Sequence, residues 1–235
     1  AENPAGTDGF EFVEFASPDP QALRDVFTKM GYAHVANHKT KKIELWQQGD
    51  ITYVLNHDPE SFAARFVEEH GPCAPSMGWR VVDAQKALEH AVAKGAEEYK
   101  GDGKVLDVPA IMGIGGSYLY FIQDGIDLYE NWAEYPGWRE AEAKNSVGLD
   151  LLDHLTHNVR RGQMQVWSQF YRTLFNFEEQ KYFDIKGKAT GLFSQAMIAP
   201  DKAIRIPLNE SQDDNSQIEE FIREYQGEGI QHLAR

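Results

Sequence analysis

Cysteine is almost absent from the chain. Cys73 stands alone, so no intrachain disulfide can form and a cysteine-built metal site is excluded. A reducing cytoplasm is the compartment this usage suits best. Positive charge is also scarce. Lys and Arg together number 23 against 37 Asp and Glu, a net charge of −14 with a pI near 5.0. Nucleic acid and anionic membrane both demand basic surfaces, so neither is expected as a partner. Long apolar runs are missing as well. No stretch approaches the ~18 residues of a membrane span. The opening residues, Ala1 to Asp8, have neither the basic start nor the apolar core of a signal peptide.

What remains is ordinary globular composition, 42% hydrophobic and 26% charged, arranged as a repeat. Phe10–Ala16 reads as a strand. Asp19-Pro20 then marks a helix start, with Leu23, Val26, Phe27 and Met30 on one face. Strands follow near 32–37, 41–47 and 51–56, giving a βαβββ order closed by a linking helix over 59–70. The order recurs with a strand over 77–82, a helix over 84–94, and strands near 96–100, 105–111, 118–122 and 126–132. A third copy opens at Gly148. Its expected strand is 149–158, its helix 163–175, and its later strands 180–186, 192–199 and 203–209. A linking helix over 216–225 leads to a strand over 229–234, the start of a fourth copy. The fold class is therefore α+β, with domains expected at 1–146 and 147–235.

Two histidines hold matching places in this repeat. Leu151–Val159 alternates apolar and polar residues as a half-buried strand does, which puts His154 and His157 on opposite faces. His232 lies on the strand that opens the fourth copy. Val13–Ala16 is placed against Leu152–Leu155, and Met77–Arg80 against Ile230–Leu233. Phe15 and Trp79 then occupy the places of His154 and His232. Aromatic carbon cannot ligate a metal, so the N-terminal half is expected to be metal-free and packed, with both rings buried. His34, His38, His57, His70 and His90 show no ligand spacing, and His157 reads as structural.

Several co-linear motifs give this pattern a context. They are Asp153-His154-Leu-Thr-His-Asn158, Phe170-Tyr171-x-x-Leu174-Phe175-x-Phe177, Ile206-Pro207-Leu208-Asn209-Glu210, Ser216-Gln217-Ile218-Glu219-Glu220 and Gly229-Ile230-Gln231-His232. Gly9–Pro18, Glu69-His70-Gly71-Pro72 and Gly113-Ile114-Gly115-Gly116 extend them into the first half. Together they resemble bacterial 4-hydroxyphenylpyruvate dioxygenase over essentially the whole chain.

The resemblance implies the vicinal oxygen chelate fold, in which paired βαβββ modules enclose a cavity. It also implies an Fe(II) enzyme of tyrosine and phenylalanine catabolism, converting 4-hydroxyphenylpyruvate and O2 to homogentisate and CO2. His154 and His232 become metal ligands, and Ser194, Asn209, Gln217 and Gln231 become substrate-binding residues. Two imidazoles and one carboxylate form the facial set of non-haem iron oxygenases. The family's carboxylate is a glutamate on the last strand of the fourth module, beyond Arg235, so 1–235 carries two ligands of three and is expected to be inactive by itself. Glu210, Glu219 and Glu220 are not expected to replace it. A cytoplasmic homo-oligomer is expected. The alternatives are a hydroxymandelate synthase-like enzyme, or an inactive fragment or binding module of the same fold.

Overall fold

The structure is a computed structural model. It describes residues 2–180, 192–214 and 216–231, and the elements below are those of the described residues. The first module runs β1 (Thr7–Ala16), α1 (Pro20–Lys29), β2 (Ala33–Asn37), β3 (Ile43–Gln48) and β4 (Ile51–Asn56). α2 (Phe62–His70) leads to a second module of β5 (Cys73–Val81), α3 (Ala84–Ala93), β6 (Ala110–Met112) and β7 (Tyr118–Gln123). A short β8 (Ala133–Glu134) and α4 (Trp138–Asn145) close this half. The second half contains β9 (His157–Val159), α5 (Met164–Phe175), β10 (Glu178–Gln180), β11 (Leu192–Ile198), β12 (Arg205–Ser211), α6 (Gln217–Tyr225) and β13 (Gly229–Ile230).

Helix starts follow their capping chemistry. Asp19 accepts from the Ala22 amide, Ser61 from Ala64, Asp83 from Lys86 and Ser216 from Glu219. Each satisfies an amide that the helix itself leaves open. α5 lacks such a residue, because Gln163 makes no side-chain cap. Glu210 serves instead from the neighbouring strand, its Oε1 accepting from the Met164 amide at 3.1 Å.

The strands form two sheets. The larger has the order β6-β7-β5-β1-β4-β3-β2-β8, the smaller β10-β11-β12-β9-β13. Both are built alike at their centres. β1 pairs parallel with β4 and antiparallel with β5, and β9 pairs parallel with β12 and antiparallel with β13. One face of the large sheet, with Phe12, Leu45, Val54, Tyr120 and Ile122, is filled by its own side chains and by Tyr99 and Val105. On the other face Val13, Phe15, Met77 and Trp79 pack under α1 and α3. That apolar cluster continues into the second half through Tyr171, Phe175 and Phe177. Trp79 is fully buried and stacks on Phe177 with ring centroids 5.4 Å apart.

Polar contacts stitch the same seam. The Gly9 amide donates to Asp201 Oδ2 at 2.8 Å, and Asn176 Nδ2 donates to the Glu2 carbonyl at 3.0 Å. Gly49, at φ 56°, turns the β3–β4 hairpin where an added Cβ would stand 2.5 Å from the Leu149 carbonyl oxygen. Only glycine fits both demands.

Several expected strands are corrected. Residues 96–100 contribute only an isolated bridge, Glu98 to Ile111, and the strand expected over 105–111 shrinks to β6. The expected strand over 126–132 is a series of turns. Asp127 Oδ1 accepts from the Tyr129 amide, which gives the backbone a local alternative to a ladder. The expected strand over 149–158 survives as His157–Val159. Ahead of it, the Asp150 carbonyl is drawn to the Asp50 amide at 2.8 Å, and Leu149 and Leu151 are exposed. The strands expected over 180–186 and 229–234 lie mostly outside the described residues.

Candidate functional site

β9 lies between β12 and β13 in the small sheet. His157 pairs with Leu208 on one side and Ile230 on the other, and Asn158 with Asn209 and Gly229. Just ahead of β9 two single backbone bonds hold the chain: Leu155 N to Arg205 O at 3.1 Å, and Gln231 N to Thr156 O at 2.8 Å. His154 stands in this loosely held segment, its side chain 54% exposed. Its Nδ1 lies 3.0 Å from Asp153 Oδ2. A carboxylate there favours a proton on Nδ1 and leaves the Nε2 lone pair facing outward. This is how a metal-ligating histidine is usually oriented by its neighbour. His232 lies outside the described residues, so its place relative to His154 is not part of this structure. Among the described residues no group of three or more His, Cys, Asp or Glu comes together as a metal cage.

The candidate substrate residues divide. Ser194 and Asn209 are direct partners on β11 and β12, and Asn209 pairs onward with Asn158. Residues paired in this way share one face of a sheet, so the three form a polar row. Gln231 is exposed at the end of β13, with only its backbone bonded to Thr156. Gln217 is exposed on the first turn of α6 and stands outside that row. Glu210 caps α5, and Glu219 and Glu220 lie in the first turn of α6.

The register corrects the alignment of the two halves. Val13 lies between Tyr53 and Met77 as His157 lies between Leu208 and Ile230. Met77 therefore matches Ile230, as expected. On the first strand, however, the counterpart of His154 is Phe10 rather than Phe15. Phe10 and Trp79 are Cα partners on adjacent strands. Both expected rings are buried, Phe15 at 3% and Trp79 at 0% exposure. Trp79 nevertheless faces the other half of the molecule, not a cavity of its own. The offset is one of repeat alignment, which only the strand register resolves.

Two buried polar groups have partners that the sequence does not show. Glu14 is fully enclosed, accepting from Asn56 Nδ2 at 2.8 Å and Ser76 Oγ at 2.7 Å. Burial pushes its carboxyl up to about 7, against the pull of those two donors. In the other half, His157 Nε2 meets Tyr171 Oη at 2.6 Å. Burial lowers the His157 imidazole to about 3 and raises the Tyr171 phenol, so the contact joins a neutral imidazole to a neutral phenol.

Comparison with known proteins decides the lineage. Residues 1–133 match the family described as hydroxyphenylpyruvate dioxygenase, HPPD, N-terminal, and residues 151–235 match the glyoxalase/bleomycin resistance protein/dioxygenase superfamily. The chain belongs to the hydroxyphenylpyruvate dioxygenase family. It is 52% identical to 4-hydroxyphenylpyruvate dioxygenase of Pseudomonas aeruginosa over 99% of this chain and 67% of that protein. It is equally close, at 52% over the same shares, to "Hemolysin VllY" of Vibrio vulnificus. A solved xylose isomerase-like TIM barrel/4-hydroxyphenylpyruvate dioxygenase fusion protein superposes with a TM-score of 0.79 at 29% identity, covering 97% of this chain and 36% of that one. The α+β architecture of tandem glyoxalase-type modules is thus that of the dioxygenase family. No helix among the described residues is long and apolar enough to cross a membrane.

Proposed function

We propose that this chain forms the N-terminal domain and the first part of the iron-binding domain of a 4-hydroxyphenylpyruvate dioxygenase. The enzyme converts 4-hydroxyphenylpyruvate and O2 to homogentisate and CO2. The observation that carries the reading is the Asp153–His154 contact, which orients an imidazole on the half of the molecule that resembles the dioxygenase superfamily. In this proposal His154 and His232 hold Fe(II), which supplies Lewis-acid and redox chemistry toward the keto acid and O2. The donor set fits such a metal: imidazole suits iron, and the Asp153 carboxylate raises the basicity of its ligand.

The chain's own part is binding and orientation. Asp153 holds the proton on His154 Nδ1. Ser194 and Asn209, partners on neighbouring strands, offer a hydroxyl and an amide to a bound keto acid or phenol. Gln231, after β13, and Gln217, on α6, are proposed as further substrate contacts on the resemblance alone. The filled face of the large sheet supplies a rigid support.

The test is oxygen uptake with 4-hydroxyphenylpyruvate, Fe(II) and ascorbate, with product identified by mass. The whole gene product is expected to release homogentisate, and residues 1–235 alone are expected to be silent. 4-Hydroxymandelate as product, or turnover unchanged in His154→Ala, would overturn the assignment.

A further inference from the structure

His157 and Tyr171 take no part in the site as described, yet they form a fully buried polar contact. The N-terminal half shows what the fold does at the same two places without such a contact. Val13 is the register counterpart of His157. Fourteen residues beyond His157 stands Tyr171 on α5. At the same spacing beyond Val13 stands Phe27 on α1, also fully buried. One half fills the strand–helix contact with an apolar pair. The other fills it with a hydrogen-bonded pair, which must give up water on both sides to be buried.

The backbone explains what the polar pair is for. β1 runs ten residues, Thr7–Ala16, with partners on both sides. Phe10, the counterpart of His154, is itself held in the ladder as the Cα partner of Trp79. β9 has three residues, and the segment bearing His154 lies ahead of its first one. Only the single backbone bonds at Leu155 and Thr156 stand between His154 and β9, so where His157 is fixed bears directly on where His154 stands. A hydrogen bond fixes direction as well as distance, which an apolar contact does not.

We propose that the His157–Tyr171 hydrogen bond is a positioning device that pins the first residue of β9 to α5 and so holds the His154 imidazole where a metal can take it. The inference rests on the reading of His154 as a ligand.

The test copies one half onto the other. Either single variant, His157→Val or Tyr171→Phe, strands a buried polar group and is expected to lower Tm. The double variant recreates the Val13–Phe27 pair and is expected to recover most of that loss, since removing both partners leaves nothing unsatisfied. Metal affinity is read separately, by titrating Co(II) into the whole gene product and following visible absorption. The double variant is expected to bind about tenfold more weakly, the usual cost of losing a group that orients a ligand. A merely structural pair would return affinity together with Tm, so a loss smaller than about threefold overturns the proposal. Should the double variant fail to fold, Tyr171→Phe alone carries the same criterion, because it removes a single oxygen. His154→Ala is the control. If it binds Co(II) as the native protein does, the ligand reading has failed and the positioning role falls with it. If only the double variant retains affinity, the positioning role alone is wrong.

Discussion

The two sheets share a plan and spend their polar residues differently. In the large sheet the buried acid Glu14 is closed off by two donors of its own sheet, Asn56 and Ser76. In the small sheet the register counterpart of Glu14 is Asn158, and that of Ser76 is Gly229, which has no side chain to offer. Asn158 Oδ1 is buried there without a hydrogen-bond partner. Likewise Phe10, the Cα partner of Trp79, holds the place that His154 holds in the other half. Closure in one copy and open valence in the other is how a duplicated scaffold can support a site in one place only. At this position the large sheet is closed because the Glu14 carboxyl already has two donors.

The largest expected effect separates the two members of one equivalent pair. His154→Ala should abolish turnover in the whole gene product with little change in Tm, since the side chain is half exposed. Phe10→Ala should do the reverse, costing about 3–5 kcal/mol as large-to-small core changes do while leaving Co(II) affinity intact. A Phe10 variant that loses metal would break the comparison.

Acid should act next, and on the small sheet. The His157 imidazole is depressed by burial to about 3 from an ordinary 6.5. The unfolded chain then binds the extra proton, so stability is full above pH 6.5 and declines as pH falls toward 3. The span corresponds to roughly 4–5 kcal/mol. Urea midpoints across that range should flatten in the His157→Val/Tyr171→Phe variant.

Alkali acts on the large sheet with the opposite sign. Glu14 is raised from 4.5 to about 7, so its contribution is complete below pH 4.5 and lost as pH climbs through 7, roughly 3 kcal/mol in all. Glu14→Gln should remove that slope. An unchanged slope would mean that Glu14 is ionised when buried.

The smallest effect concerns helix starts. Asp83→Ala and Glu210→Ala should each cost about 1 kcal/mol, but by different routes. Asp83 caps its own helix, so amide exchange should quicken at Lys86. Glu210 reaches α5 from β12, so both elements should loosen together.

Much of this plan was legible in the sequence. The helix start at Asp19, the periodic face of α1 and the βαβββ order of the first module are local signals with local causes. The match of Met77 to Ile230 was legible for the same reason. What could not be read was set by distant partners. Phe10, not Phe15, is the counterpart of His154 because pairing with neighbouring strands makes Val13 the equivalent of His157. His157 read as structural, but its Tyr171 partner is on another element, and alternation along a strand says nothing of that. Glu14 looked like any polar residue in a strand until Asn56 and Ser76 were brought beside it by pairing.

The seam between the halves carries a consequence for cooperativity. A single apolar cluster runs from Val13 and Trp79 through Phe175 and Phe177, so neither half can melt without exposing the inner surface of the other. Calorimetry should show one endotherm instead of two, with the van't Hoff and calorimetric enthalpies in agreement. A protease nick between β8 and α4 should leave the two pieces travelling together in gel filtration. The acid and alkaline losses described above would then fall on one shared transition, and each sheet would report the distress of the other.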